Sequence, residues 1–188
     1  MIKQITSLQN PLVKDLVLLK EKSKTRKKTG HFLIEGLREL DLAFQGNYSI
    51  DTVLFDTHLI SQNDIEILLE KYDSSNTELI EIAPDVYHRL AHRDTTGGVL
   101  AVAQSKFHSL DDIRFKTKNP LILVAESIEK PGNIGALLRT ADAANIDAVL
   151  IANPKTDLYN PNCIRSSVGC VFTNKIAVDS TKNIIDFL

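Results

Sequence analysis

The sequence contains no long hydrophobic run. None of its 188 residues lies in a stretch approaching the roughly 20 consecutive apolar residues that cross a bilayer. The first ten residues, MIKQITSLQN, also lack the apolar stretch of a secretory signal. These absences argue against a membrane partner, and we expect a cytoplasmic protein.

Cysteine is scarce, and histidine is widely spaced. Cys163 and Cys170 are the only cysteines, too few for a disulfide framework, so we expect two reduced thiols. The histidines show no metal-ligand spacing and predict no metal site; they are His31, His58, His88, His92 and His108.

Three common catalytic motifs are also missing. The stretch PGNIG at 131–135 has no lysine after its second glycine and does not have the spacing G-x-G-x-x-G. No serine stands in a G-x-S-x-G elbow. ATP hydrolysis, hydride transfer from a dinucleotide and serine hydrolysis are therefore poorly supported.

Charge is distributed unevenly along a chain of ordinary globular composition, with 43% hydrophobic and 24% charged residues and a net charge of −2. Residues 1–28 hold eight basic and two acidic side chains, a net charge of +6, so the remainder carries −8. A local excess of this size attracts nucleic-acid phosphates. A solvated helix end is the alternative interpretation.

Strand and helix patterns alternate along the chain and predict an α/β protein with two domains. Asn10-Pro11 is a good helix start, and a small α/β domain is predicted over 1–105. The polar stretch 106–119 is predicted as a linker. From Pro120 onward, the near-continuous apolar run LILVAES predicts a strand buried on both faces of a parallel sheet.

The helix predicted after Pro131 carries the most informative polar residues. Its sheet-facing stripe is predicted to comprise Ile134, Leu137, Leu138 and Ala141. Arg139 lies about 140° around the helix from Ile134 and so avoids that stripe. Open α/β sheets place ligands at the carboxyl ends of their strands, which favours functional roles for Asn133 and Arg139. A helix cap and a surface cation are the alternatives.

Two long segments together resemble a known family. ILVAESIEKPGNIGALLRTADAANIDAVLI at 122–151, followed by DLYNPNCIRSSVGCVF at 157–172, resembles the motif region of the SpoU-type (TrmH-like) RNA 2'-O-ribose methyltransferases of the SPOUT superfamily. SLQNPLVKDLVLLKEKSKTRKKTGHFLIEG and TTGGVLAVA resemble that family's substrate-binding domain. The resemblance implies a small L30e-like α/β substrate-binding domain at 1–105. It also implies the front portion of a parallel-sheet SPOUT (α/β knot) domain at 120–188.

The resemblance implies methyl transfer from S-adenosylmethionine to a ribose 2'-hydroxyl of structured RNA, either tRNA or rRNA. Arg139 matches the motif arginine that is thought to activate the hydroxyl or hold the adjoining phosphate, and Asn133 matches the motif asparagine. Glu126 is expected to help order Arg139, and a solvated carboxylate is the alternative. Glu35 and Gly36 also match, where a tight strand-to-helix turn and substrate contact both remain open. The expected RNA contacts are Lys14, Arg26, Lys27, Lys28 and Arg165, the last with Ser166 in a partly structural segment.

The sequence departs from the family at its carboxyl end. The Gly-Ser-Glu and Ser-Leu-Asn segments that hold the family's methyl donor do not appear. We therefore expect the cofactor-binding residues beyond Leu188, a chain that is a fragment of a longer enzyme, and little activity from these residues alone. The alternative is a non-catalytic RNA-binding module. A homodimer is expected where the SPOUT domain is complete.

Overall fold

The structure is a computed structural model that describes residues 2–74, 76–92, 97–115 and 117–188. The chain forms two compact units, Met1–Ser105 and Lys106–Leu188. Thr95 and Thr96 of the TTGGVLAVA segment lie outside the described residues. Within the described ranges, no helix combines the length and the apolar character needed to cross a membrane.

The first unit contains a five-stranded mixed sheet. Its strands are β1 (Lys3–Ile5), β2 (His31–Glu35), β3 (Ile50–Phe55), β4 (Glu78–Ile82) and β5 (Val99–Gln104), arranged in the order β1-β4-β3-β5-β2. β4 pairs in parallel with β1 and β3, whereas β5 pairs antiparallel with β2 and β3. The predicted α/β class is confirmed. β1 was not predicted because only Ile5 of its three residues is buried.

The described residues of this unit also form five helices: α1 (Pro11–Glu21), α2 (Ser23–Thr29), α3 (Leu37–Gln45), α4 (Gln62–Lys71) and α5 (Pro84–Leu90). The Asn10 side chain accepts a hydrogen bond from the Leu12 N–H at 2.9 Å, and Pro11 occupies the first helical position, where no N–H is needed. The buried face of α1 packs into one of the unit's cores, whose members include Val13, Leu16, Leu19, Leu54, Ile80 and Leu100.

The second unit contains a three-stranded parallel sheet in the order β6 (Ile122–Glu126), β7 (Ala148–Ala152) and β8 (Ile176–Asp179). Its helices are α6 (Pro131–Ala143), α7 (Pro161–Ser167), α8 (Cys170–Thr173) and α9 (Thr181–Phe187). Every residue of central β7 is buried, as expected for a parallel strand covered on both faces. β6 differs from the prediction: only Ala125 is buried, and Val124 is 45% exposed.

The segment 106–119, predicted as a linker, lies within the second unit. It forms a short 3-10 helix at Leu110–Asp112. Leu110 and Ile113 are buried against Ala148 and Leu150 of β7, and the His108 carbonyl accepts a hydrogen bond from Val178 N at 2.8 Å. Two apolar anchors in a polar stretch give no periodic signal, so the sequence pattern could not reveal this packing.

Candidate active site around helix α6

α6 is positioned by a sharp turn at the carboxyl end of β6. Ser127 takes a left-handed backbone conformation with φ 53°, and its N–H donates to the Ala152 carbonyl at 2.8 Å. The chain then reaches Pro131, which starts the helix. The turn therefore lies at the carboxyl ends of the parallel strands, where α/β sheets place ligands.

α6 presents a buried inner face and a second face that lines a cleft. Ile134, Leu138 and Ala141 are buried and form the inner face. Leu137, which was predicted to share this face, is only half-buried and instead lines an open cleft. Leu137 is three positions after Ile134, but around the helix it lies closer to Asn133 than to Ile134. The predicted buried stripe therefore included one residue too many.

The cleft beside α6 has a volume of about 640 Å³, within the range of small-ligand sites. The residues that line it come from the turn and the outer face of α6: Ser127, Ile128, Glu129, Lys130, Asn133, Ala136, Leu137 and Thr140. Glu129 Oε1 lies 2.7 Å from Lys155 Nζ at its rim. Because both side chains are well exposed, this ion pair stabilises the turn only weakly.

Gly135 allows α7 to pack closely against α6. A Cβ atom at this position would overlap the Ser166 hydroxyl and would lie 2.5 Å from the Cys163 carbonyl oxygen and 2.7 Å from Ser167 N. By contrast, a Cβ at Gly132 would meet nothing within 4 Å. Gly135 thus serves close packing of the two helices.

Arg139 lies one helical turn beyond Gly135 and is exposed. Within the described ranges, its guanidinium makes no hydrogen bond or ion pair, so its donors are available to a ligand. Asn133 is also exposed, but it lines the cleft, whereas Arg139 does not. The two positions are six residues apart in sequence, which is about 9 Å along the helix axis. The structure therefore places the two motif residues on different sides of one helix.

Glu126 does not order Arg139 as predicted. Its Oε1 accepts a hydrogen bond from Thr181 Oγ1 at 2.6 Å, and Thr181 Oγ1 accepts one from Asn153 Nδ2 at 2.7 Å. No ion pair joins Glu126 to Arg139 among the residues that the structure describes. The three hydrogen-bonded side chains lie close to the ends of β6, β7 and β8. Sequence reasoning missed Asn153 and Thr181, although each closely follows a predicted parallel strand.

α7 combines a capping site with one exposed cation. Asn160 Oδ1 accepts from Asn162 N at 3.0 Å and caps the helix. Arg165 is exposed. Ser166 is half-buried, and its hydroxyl donates to the Asn162 carbonyl at 2.6 Å. Ser166 is therefore structural, whereas Arg165 remains accessible to a partner.

The basic segment of the first unit contains one residue that differs from the prediction. Lys14, Lys27 and Lys28 are exposed, but Arg26 is only 4% exposed. Arg26 Nη1 donates to the carbonyls of Leu19 and Lys20 at 2.8 and 2.9 Å. These carbonyls lie at the end of α1, where four acceptors lack helical partners. Arg26 therefore caps α1, and its burial removes it from the expected RNA contacts.

Glu35 and Gly36 form a tight strand-to-helix turn. Glu35 Oε2 accepts from His92 N at 2.8 Å. Gly36 has φ 108°, a conformation that side chains rarely adopt, and a Cβ there would overlap the carboxylate of buried Glu39. These contacts favour the structural interpretation over substrate contact.

The pKa values of Cys163 and His108, in the second unit, are displaced from their ordinary values. Burial, and then the nearby Asp157 carboxylate, raise the pKa of the Cys163 thiol to about 12, so the thiol stays protonated and unreactive. Burial also lowers the pKa of His108, whose Nε2 lies 2.9 Å from the Tyr159 hydroxyl. The pKa shifts of both side chains fit structural roles, and neither residue lines the cleft.

Comparisons with known proteins agree with this geometry. The chain matches the MRM3-like substrate binding domain over residues 10–101 and the SpoU rRNA Methylase family over residues 120–188. It is 29% identical over 165 residues to the 23S rRNA (uridine(2479)-2'-O)-methyltransferase of Streptomyces viridochromogenes, covering 87% of this chain and 56% of that enzyme. The chain thus spans little more than half the length of this relative.

Solved structures of RNA methyltransferases are also similar to this chain. The AdoMet-bound rRNA methyltransferase of Sinorhizobium meliloti matches with a TM-score of 0.86 and 27% identity, over 99% of this chain and 68% of that one. An RNA 2'-O ribose methyltransferase matches with a TM-score of 0.80 and 35% identity, over 98% of this chain and 68% of that one. The chain belongs to the SpoU family of RNA 2'-O-ribose methyltransferases.

Proposed function

We propose that this chain takes part in transferring a methyl group from S-adenosylmethionine to a ribose 2'-hydroxyl of ribosomal RNA. The Streptomyces relative is named for this reaction on 23S rRNA, and the Sinorhizobium relative is named as an rRNA methyltransferase bound to AdoMet. The observation that carries the proposal is the exposed Arg139, with no partner in the described part of the chain, on the helix that bears the family's motif.

Arg139 suits the chemistry of a ribose hydroxyl. A neutral 2'-hydroxyl is a weak nucleophile, and negative charge develops on its oxygen as the hydroxyl proton is removed. A guanidinium stays protonated and presents a planar fork of donors. It can stabilise the oxygen and bind the adjoining phosphate through two parallel hydrogen bonds. A lysine would supply the charge without this geometry.

RNA contact is assigned to exposed cations on each unit. These are Lys14, Lys27 and Lys28 on the first unit and Arg165 on the second. RNA helices are recognised largely through phosphates, 2'-hydroxyls and shape, which side chains of this kind can contact without reading sequence. Binding through them should weaken steeply as salt concentration rises.

The cleft beside α6 does not by itself fit S-adenosylmethionine. The apolar side chains that line it are Ile128, Ala136 and Leu137, and among the described residues no aromatic side chain lines it that could stack on an adenine ring. We therefore expect residues 1–188 to bind S-adenosylmethionine weakly. Isothermal calorimetry on this chain measures that affinity, and tight one-to-one binding would contradict the expectation.

We further propose that the protein is a cytoplasmic homodimer, in which one RNA molecule contacts residues of both copies. The separation of Asn133 and Arg139 on two sides of α6 supports this arrangement, because one copy alone does not gather both at the cleft. Sedimentation velocity of the protein as expressed from its gene tests the oligomeric state. A monomer that still methylates RNA would contradict the dimer.

The assigned roles are tested by separating chemistry from binding. In cells lacking the gene, Arg139→Ala should fail to restore ribose methylation but should lose little RNA affinity, because loss of a transition-state donor costs about a hundredfold or more in rate. The double variant Lys27→Glu and Lys28→Glu should bind RNA more weakly, with a flatter salt dependence. Arg38→Ala removes an exposed arginine from α3 and serves as the matched control. The reverse pattern, with Arg139→Ala losing affinity alone, would contradict the assignment.

A further inference from the structure

A second concave surface lies on the first unit, beside α1 and α5. This surface, the α1 groove, has a volume of about 480 Å³. Its apolar side chains are Leu8, Val13, Val17 and Leu18. Val13 is buried in the core below, but Leu8 and Leu18 are 45% and 46% exposed. The groove therefore offers solvent-facing apolar area on an otherwise highly charged segment.

Polar groups line the same groove and are available to a ligand. They are Gln9, Lys14 and Arg89. In the described part of the chain, the Gln9 amide and the Lys14 ammonium have no side-chain partner. Arg89 Nη2 lies 3.6 Å from Glu21 Oε1, and both side chains are about half exposed. An exposed pair of this length is weak, so Arg89 can turn towards an anion.

Lys14 and Leu18 share one line along α1, because they are four residues apart. A ligand that lies against Leu18 is therefore within reach of the Lys14 ammonium. Gln9 precedes the helix and supplies both a donor and an acceptor from one amide. The groove thus combines an apolar wall, an amide that can read a polar edge and two cations.

We propose that the α1 groove binds a single unpaired RNA nucleotide. Its base lies against Leu8 and Leu18, its polar edge meets the Gln9 amide, and its phosphate meets Lys14 and Arg89. This assignment rests on the proposed function and refines it. Sequence-specific RNA readout mostly uses unstacked bases, because bases within an A-form helix are hard to reach.

Charge favours a nucleotide over an apolar protein segment. Both ionic groups lining the groove are cations, and residues 1–28 carry a net charge of +6. An apolar peptide would leave the Lys14 ammonium without a partner at the edge of its binding site, whereas a nucleotide carries its own phosphate. The exposed Lys27 and Lys28 then bind the backbone of the flanking helix, and the groove selects a loop.

Two RNA probes and matched variants test the proposal in the full chain. The probes are a hairpin with a single-stranded loop and a blunt-ended duplex of the same stem. Leu18→Gln should weaken hairpin binding about tenfold and leave duplex binding unchanged. Ile67→Gln on α4, where the side chain is 56% exposed, is the control and should change neither. Gln9→Ala, which removes no core contact, should weaken hairpin binding alone by a smaller factor.

The outcomes separate this proposal from the one on which it rests. If Leu18→Gln and Gln9→Ala both bind the hairpin as tightly as the unchanged chain, the groove assignment is overturned, and the RNA-binding function stands. If the unchanged chain binds neither probe, the proposed function itself is lost. If Leu18→Gln instead abolishes a concentration-dependent dimer, the groove is a contact between two copies and does not bind a nucleotide.

Discussion

Replacement of Gly135 by alanine tests the close packing of α6 against α7. An alanine Cβ would lie 2.5 Å from the Cys163 carbonyl oxygen, against at least 3.4 Å in ordinary contact. The new Cβ would meet backbone atoms of α7, which cannot rotate away, so α7 would have to move by about 1 Å. Overpacking of this kind costs about 1–3 kcal/mol, and better helix propensity returns up to about 1 kcal/mol. We expect a net loss of about 1–2 kcal/mol in the free energy of unfolding.

Urea unfolding provides the measurement, and hydrogen exchange on peptides from α6 and α7 localises the effect. Gly132→Ala is the matched control, because it changes the same helix where a Cβ meets nothing within 4 Å. That variant should be neutral or more stable by up to about 1 kcal/mol. If Gly135→Ala is as stable as Gly132→Ala, the two helices are not held at the distance that the structure shows.

The remaining predictions concern pH. Burial lowers the pKa of His108 below its ordinary 6.5, so the unfolded chain gains a proton first, and stability should fall as pH drops below 6.5. His108→Gln should reduce this fall between pH 7.5 and 5.5 in urea unfolding, and an unchanged pH profile would refute the assignment. The hydrogen bond from Lys71 is the main cause that lowers the pKa of Asp41 below its ordinary 3.8. The ionised Asp41 carboxylate therefore stabilises the fold above pH 3.8. This stabilisation is lost as pH falls through the lower pKa that Asp41 has in the folded chain. Asp41→Asn should therefore lower the melting temperature at pH 5 but much less at pH 2.5, and equal losses at the two pH values would count against the pairing.

Much of the fold could be predicted because its elements carry strong local signals. The Asn-Pro start of α1 is bonded as predicted, and the continuous apolar run of β7 is wholly buried. β6 has a similar run, yet half of Val124 is exposed. Apolar content shows that a strand can be buried, but tertiary neighbours decide how far it is.

The site was harder to predict because side-chain partners are non-local. Arg26 belongs to a basic run in the sequence, but it is buried because its guanidinium donates hydrogen bonds to carbonyls at the end of α1. Glu126 bonds Thr181, which is 55 residues away. No spacing rule reports such a pair. By contrast, the exposure of Arg139 follows from helical periodicity alone and agrees with the structure.

The function proposed for this family member is methylation of ribose in ribosomal RNA. Mapping of 2'-O-methylated positions in 23S rRNA, with and without the gene, measures this directly. We predict that one ribose methyl group disappears without the gene and returns with the unchanged gene but not with Arg139→Ala. An rRNA ribose map that is identical in the two strains would contradict the claim.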